Sequence, residues 1–326
     1  MSSKIVGVGM YVPPEIVTNK DFETMVETSD EWIRERTGMV ERHKAAPGTP
    51  TSDLGAEAAR RAIANAGLGP DDIDIIIVAS FTPDMLFPST ACFVQSKIKA
   101  KNAYAFDIMA ACSGFIFALS MADSLIRAGR GKNALVIGAE IISTILDYTD
   151  RNTCILFGDG AGAVVLSKCP KGEGILSTHT YSDGDLWSLL HGPGGGTVAA
   201  GTDQSHDDAP RRVIKMAGND VYKHAVTRMV EVSEEALTAN NVSIDDVALF
   251  IPHQANLRII KSVGKRIHIP SERVFVNLAK YGNTSAASIP IALAEAYEQK
   301  RYTPGDLVLM SAFGGGLTWG SALVRM

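Results

Sequence analysis

The stretch Ala62-Ile63-Ala64-Asn65-Ala66-Gly67-Leu68-Gly69-Pro70-Asp71-Asp72-Ile73-Asp74-Ile75-Ile76-Ile77 has a gap-free counterpart later in the chain, Ala236-Leu237-Thr238-Ala239-Asn240-Asn241-Val242-Ser243-Ile244-Asp245-Asp246-Val247-Ala248-Leu249-Phe250-Ile251. Each copy ends a helix, turns, and enters an apolar run of strand length. Gly67 and Asn241 hold the same place, and both residue types tolerate the left-handed backbone that closes a helix. Two further matches keep the order: Asn133–Gly138 with Asp306–Ser311, and Phe157–Val165 with Phe313–Leu323. Ordered matches across the whole chain argue for a duplicated α/β unit, with halves at 1–172 and 173–326 and the boundary near Lys168–Gly174. The strand candidates are apolar on both faces and alternate with helices, as in a layered α/β sheet protein.

Composition agrees and narrows the function. A chain of 326 residues, 46% of them hydrophobic, buries a large core. The net charge of −5 argues against general nucleic-acid binding. Four unevenly spaced cysteines form neither a CxxC nor a disulfide framework, which places the chain in a reducing cytoplasm. No apolar run approaches membrane-span length, so no membrane association is expected. Lys4–Pro13 is short and broken by glycines, and reads as a first strand rather than a signal peptide. The longest loop is expected from Gly192 to Pro210.

Chemistry gathers around Cys112, in Ala110-Ala111-Cys112-Ser113-Gly114-Phe115. Ala103–Met109 before it reads as a buried strand. Phe115–Ile126 after it reads as a helix with no breaker until Gly129. A thiol at such a turn faces the positive end of the helix, which favours the nucleophilic thiolate. Pro252-His253-Gln254-Ala255-Asn256 and Gly282-Asn283-Thr284-Ser285 supply the remaining groups of a Cys112/His253/Asn283 site. The duplication brings strand ends of both halves together near a pseudo-twofold axis. Cys92, Cys154 and Cys169 read as buried apolar residues. Gly158-Asp159-Gly160-Ala161-Gly162 precedes a strand rather than a helix, so it reads as a turn and not a nucleotide loop. Gly314-Gly315-Gly316 permits close backbone approach, with amides facing the thiol. A cysteine hydrolase and an acyl-transferring enzyme both fit these residues.

Ala111-Cys112-Ser113-Gly114-Phe115, Pro252-His253-Gln254-Ala255-Asn256, Tyr281-Gly282-Asn283-Thr284-Ser285 and Phe313-Gly314-Gly315-Gly316-Leu317-Thr318-Trp319-Gly320 together resemble the β-ketoacyl-acyl-carrier-protein synthase III family. These are the initiating condensing enzymes of type II fatty-acid synthesis. The resemblance covers essentially the whole chain, including Glu31-Trp32-Ile33-Arg34-Glu35-Arg36-Thr37-Gly38. It implies a thiolase-like duplicated α-β-α-β-α layered fold. It also implies ping-pong condensation of a short acyl-CoA with malonyl-acyl-carrier protein, with neither metal nor organic cofactor. Cys112 would carry the acyl group, and His253 and Asn283 would stabilise the enolate. The amides of Cys112 and Gly315 would form the oxyanion hole. Trp32, Arg36, Thr37, Arg151, Gly218 and Asn219 resemble CoA contacts, with adenine between Trp32 and Arg151. Leu156 and Phe157 resemble acyl-pocket residues, and Phe87 one that a partner subunit supplies, which implies a homodimer. A relative moving acyl groups to an alcohol or amine in secondary metabolism is the nearest alternative.

One surface follows from spacing. Arg258, Lys261 and Lys265 recur at i, i+3, i+7, one face of a helix just after His253. By itself this is a solvated basic face; with Lys223, it becomes the docking patch that the resemblance implies for an acidic carrier protein.

Overall fold

The computed structural model of the chain describes residues 2–192, 196–197 and 213–326. Most of the expected Gly192–Pro210 loop lies outside the described residues. In chain order the strands are β1 (Ser2–Tyr11), β2 (Glu15–Thr18), β3 (Glu41–Lys44), β4 (Ile75–Ala79), β5 (Tyr104–Ile108), β6 (Asn133–Glu140), β7 (Gly160–Cys169), β8 (Gly174–Ser182), β9 (Leu190–His191), β10 (Lys215–Met216), β11 (Val247–Pro252), β12 (Leu307–Gly314) and β13 (Thr318–Arg325). The helices are α1 (Asn19–Glu23), α2 (Asp30–Thr37), α3 (Thr51–Asn65), α4 (Thr90–Ile98), α5 (Gly114–Arg127), α6 (Arg151–Cys154), α7 (Gly218–Ala239), α8 (Leu257–Arg266), α9 (Leu278–Tyr281) and α10 (Ser288–Glu298).

Two mixed sheets carry the fold, in the orders β1-β7-β6-β4-β5 and β8-β13-β12-β11. The orders correspond position by position. Where β5 lies beside β4 in the first sheet, only an isolated parallel bridge, Phe250 to Val274, lies beside β11 in the second. The matched segments fall on equivalent strands: Ile75–Ile77 on β4 and Leu249–Ile251 on β11, Asn133–Gly138 on β6 and most of its partner on β12.

Strand side chains alternate between faces, and this sorts the layers. Ile75 and Ile77 face a central cluster with Phe115, Leu119 and Ile126 of α5 and Ile289 and Leu293 of α10, closed from the other side by Leu249, Ile251, Val308 and Met310. Ile76 and Val78 turn outward against Leu54, Ala58 and Ala62 of α3 and Val94 of α4. Phe250, Leu309 and Leu323 turn outward against Met229 and Val232 of α7 and Val263 of α8. The layers are therefore helix, sheet, helix, sheet, helix, the thiolase-like arrangement.

One detail differs from the sequence reading. β5 pairs only with β4, so the strand before Cys112 is a sheet edge and only partly buried. The segment joining β6 to β7 is much longer than that joining β12 to β13. The first holds a 3₁₀ turn, Ile142–Ile145, and α6, whereas the second is the tight turn through Gly315–Leu317.

Contact between the halves is close at Gly138. A Cβ there would lie 2.2 Å from the Ala286 carbonyl oxygen, so only glycine lets the turn before α10 settle onto the first sheet.

Candidate active site

Cys112 sits in a 3₁₀ turn, Ala111–Ser113, that runs into α5. The turn is fixed from the second half. Ser113 Oγ donates to the Thr318 carbonyl at 2.9 Å, and Thr318 Oγ1 donates to the Ala110 carbonyl at 3.0 Å. Gly314 lies against the same turn, since a Cβ on it would stand 2.6 Å from Cys112 N. This matches the expected approach of the glycine run to the thiol. Gly315 follows in the turn that leaves β12, where its own carbonyl lies 3.1 Å from Thr318 Oγ1.

His253 leaves the end of β11 and is anchored by its backbone N–H, which donates to the Ser311 carbonyl at 2.8 Å. Its Nδ1 is 2.6 Å from Ser288 Oγ. That hydroxyl also accepts from the Gln254 N–H at 3.3 Å. With the Ser288 hydroxyl taken as donor to Nδ1, the imidazole proton is assigned to Nε2. Asn283 Oδ1 accepts from the Ser285 N–H at 2.8 Å, which leaves the carboxamide NH2 as the outward donor. Ser285 Oγ lies 3.3 Å from Cys112 Sγ.

The six residues Asn283–Ser288 thus touch all three expected groups, and the structure brings them together. Cys112, His253 and Asn283 are 7%, 2% and 6% exposed. Sequence reading missed Ser285 and Ser288 as the side chains that orient thiol and imidazole. Gln254 and Asn256 are scaffold. Gln254 bridges the Pro252 and Phe275 carbonyls and the Asn277 N–H, and Asn256 caps α8 while holding the Arg36 carbonyl.

Electrostatics corrects one expectation. Burial pushes the Cys112 thiol from 9.0 up to about 12, against a smaller lowering by the Ser285 hydrogen bond. That rise is worth about 4 kcal/mol. A helix N-terminus returns typically 0.3–1 kcal/mol and at most about 2 kcal/mol. Burial wins, and the resting group is a thiol rather than a thiolate. Burial also drives His253 down to about 3, so the imidazole is neutral across the physiological range.

The other expected positions are placed as follows. The Arg151 guanidinium stacks on Trp32, 4.9 Å from the ring centroid, and Arg36 lies 5.8 Å from the same ring. Arg151 also donates to the Glu27 carbonyl at 2.7 Å. An adenine between Trp32 and Arg151 therefore requires the guanidinium to move out. Thr37 does not belong to this surface. It is 3% exposed, and its hydroxyl donates to the Ile33 carbonyl and accepts from the Met39 N–H. Thr28 Oγ1, just ahead of α2, is buried without a protein partner. Gly218 and Asn219 open α7 and are exposed. Leu156 and Phe157 pack with Ile142, Leu146 and Ile214. Phe87 is 83% exposed in an apolar tip with Met85 and Leu86, so it lines no pocket of its own chain.

On α8, Arg258, Lys261 and Lys265 are exposed, with Arg266, while Ile259, Ile260 and Val263 are buried. Lys223 on α7 pairs with Asp220 at 3.2 Å. Lys223, Lys265, Arg266 and His268 line a groove of ≈ 610 Å³ between the two helices. Among the described residues no group of three or more His, Cys, Asp or Glu side chains is placed to hold a metal ion, and no helix is long and apolar enough to cross a membrane.

Known proteins resemble the chain over nearly its whole length. Residues 106–184 match the 3-oxoacyl-[acyl-carrier-protein (ACP)] synthase III family, and residues 237–326 match its C-terminal family. The chain is 51% identical over 321 residues to the β-ketoacyl-[acyl-carrier-protein] synthase III of Roseiflexus castenholzii, covering 98% of this chain and 97% of the relative. The crystal structure of 3-oxoacyl-[acyl-carrier-protein] synthase III from Aquifex aeolicus superposes with a TM-score of 0.92 at 50% identity, over 99% of this chain and 100% of that one. The priming β-ketosynthase of the R1128 polyketide pathway superposes equally well, at 0.92, with 34% identity over 99% and 96% of the two chains.

Proposed function

The chain belongs to the β-ketoacyl-[acyl-carrier-protein] synthase III family, and we propose from that premise that its buried Cys112/His253/Asn283 site carries out both half-reactions. It is an acyltransferase that performs the initiating condensation of fatty-acid synthesis. Its substrates are an acyl-CoA and malonyl-acyl-carrier protein.

In the first half-reaction the Cys112 thiol attacks the thioester of a short acyl-CoA. The new C–S bond replaces the bond to CoA, and the thiol proton leaves on the CoA sulfur. Because the resting group is a thiol, attack and proton loss are concerted, with Ser285 Oγ hydrogen-bonded to the sulfur as charge develops. In the second half-reaction CO2 leaves the malonyl thioester, and its electron pair becomes an enolate. The Nε2–H of His253 and NH2 of Asn283 are two fixed neutral donors for that oxygen. The carbanion attacks the acyl carbonyl, and the amides of Cys112 and Gly315 take the tetrahedral oxyanion. Collapse releases the β-ketoacyl-carrier protein and a Cys112 sulfur that recovers a proton from water.

The neutral His253 supports this reading most. A hydrolase base must accept a proton near neutral pH, and a group held down to about 3 is better suited to donating a hydrogen bond. The stacked Trp32 and Arg151, with Thr28 beside them, support CoA entry along α2, and exposed Gly218 and Asn219 support a pantetheine path. The basic face of α8 supports carrier docking by Arg258, Lys261, Lys265 and Lys223. The exposed tip Met85-Leu86-Phe87 supports a homodimer in which Phe87 closes the partner's acyl pocket beside Leu156 and Phe157. The assembly works without metal or organic cofactor, in the cytoplasm.

Intact-mass analysis tests the reading. Acetyl-CoA should leave one acetyl group on the protein, absent in Cys112→Ser, and malonyl-carrier protein should then discharge it as acetoacetyl-carrier protein. Release of free acetate without a malonyl requirement would make the chain a hydrolase instead.

A further inference from the structure

Arg42 on β3 is among the largest fully buried side chains, 1% exposed, and its guanidinium is spent on neutral oxygens. Nε donates to the Ile155 carbonyl at 2.8 Å, and Nη2 donates to the same oxygen. Nη1 donates to Asn19 Oδ1 at 2.5 Å, and the Phe22 ring lies under the group at 4.9 Å. Asn19 passes the contact on through Nδ2 to Asp30 Oδ1 at 2.8 Å and to the Met39 carbonyl at 2.9 Å. Burial lowers the Arg42 pKa only to about 10, so the group remains a cation at neutral pH. Burying a charge against neutral partners is costly, and an apolar side chain of this size would avoid the cost.

What the guanidinium holds lies next to the reaction. Ile155 is the C-cap of α6. The residues after it suspend Asn283 by its backbone: the Asn283 N–H donates to the Leu156 carbonyl at 2.8 Å, and the Gly158 N–H donates to the Asn283 carbonyl at 3.1 Å. The Arg42 stem supports the same place from below. A Cβ on Gly282 would stand 2.8 Å from Arg42 Cγ and 2.9 Å from the Leu156 carbonyl oxygen. Arg42 therefore grips both the strip that carries Asn283 and the residue just before it.

We propose that Arg42 is a positioning residue for Asn283: by holding the Ile155 carbonyl and packing under Gly282, it fixes the Leu156–Gly158 strip and so the place where the Asn283 carboxamide meets the enolate. This rests on the donor role given to Asn283 above. Lysine keeps the charge but not the fork that reaches Ile155 and Asn19 together, so Arg42→Lys loosens the strip without removing the cation.

The test measures the two half-reactions separately in Arg42→Lys, Arg42→Met, Asn283→Ala and the Arg42→Lys/Asn283→Ala double variant. Acetyl transfer from acetyl-CoA is followed by intact mass, and CO2 release from malonyl-carrier protein is followed on pre-acetylated enzyme. Arg42→Lys should acetylate within about threefold of the parent but decarboxylate about tenfold to hundredfold more slowly, the scale of a misplaced catalytic group. Arg42→Met should show the same split, larger. The double variant should decarboxylate no more slowly than Asn283→Ala, because the two changes remove one interaction. Parallel losses in both half-reactions, unchanged decarboxylation, or additive losses in the double variant overturn the proposal. If Asn283→Ala itself spares decarboxylation, the donor role of Asn283 fails first and the proposal falls with it. Should Arg42→Met not fold, Asn19→Ala, which frees the other end of the fork, replaces it and should give a smaller split of the same direction.

Discussion

Removing the hydroxyl beside the nucleophile, Ser285→Ala, should slow reaction of the resting thiol by a modest and calculable factor. Ser285 Oγ is 3.3 Å from Cys112 Sγ and is the largest influence lowering a thiol that burial otherwise raises. A hydrogen bond to a charged group is worth about 1.5–3 kcal/mol, or about one to two pKa units. The thiolate fraction at fixed pH then falls about tenfold to a hundredfold. Nucleophilicity rises with pKa and returns about threefold per unit, so the net loss in alkylation rate is about threefold to tenfold. Ser285 has a positive φ of 51°, which alanine adopts about as readily as serine, so the backbone need not change. The assay is iodoacetamide alkylation between pH 7 and 9.5, with Cys112→Ser providing the background from the other three thiols. The rate should rise with pH throughout the range in both proteins, because a thiol raised to about 12 reaches its plateau only above it. An unchanged or faster rate in Ser285→Ala would show that the hydroxyl does not stabilise the sulfur anion, and would remove Ser285 from the acylation step.

Three further outcomes are expected. His253→Ala and Asn283→Ala should each keep self-acetylation and lose about a hundredfold to a thousandfold in CO2 release, the scale of one lost oxyanion donor; comparable losses of both half-reactions would refute the division. His253 is depressed to about 3 in the fold against an ordinary 6.5, so the unfolded chain binds the extra proton between those values; stability should fall as pH drops below about 6.5 and level off below about 3, by up to about 1.4 kcal/mol per pH unit from this group, and His253→Gln should remove that share of the slope in thermal melts. Lys261→Glu with Lys265→Glu should raise the KM for malonyl-carrier protein several-fold and flatten its salt dependence while sparing the KM for acetyl-CoA; equal losses for both substrates would withdraw the docking role.

The large-scale order was legible because it is written in punctuation. Gly67 and Asn241 both adopt positive φ, 67° and 52°, where the repeat places a helix end, and the apolar runs after them are the strands β4 and β11. Cys112 and His253 were legible as candidates because each follows a strand that the apolar pattern marks, β5 and β11, and Asn283 because of its glycine-led motif. What escaped depends on depth and on contacts distant in sequence. The Cys112 turn looks the same in sequence whether the thiol is open or covered, and it is the covering by Gly314 and the Asn283–Ser288 turn that makes burial outweigh the helix terminus. Thr37 has local partners for its hydroxyl, Ile33 and Met39, but its burial comes only from the tertiary fold. Arg42 reads as one more charge in the run Glu41-Arg42-His43-Lys44, yet its partners are Asn19 and Ile155, brought to it only by the tertiary fold.

The pairing of β1 with β7 and of β8 with β13 has a consequence for biosynthesis. Each half is closed by its own first and last long strands, Ser2 opposite Cys169 and Gly174 opposite Arg325. A ribosome therefore releases a first half that can close while the second is still being made. Cys112 and Ser285 are 173 positions apart. At about 5–20 residues per second, the nucleophile waits roughly ten to thirty-five seconds for its partner hydroxyl, and longer for Gly314. During that interval the thiol lacks the cover that suppresses its ionisation. We expect nascent chains stalled at residue 200 to be alkylated at Cys112 faster than the released protein, and equal rates would show that the first half buries the sulfur by itself.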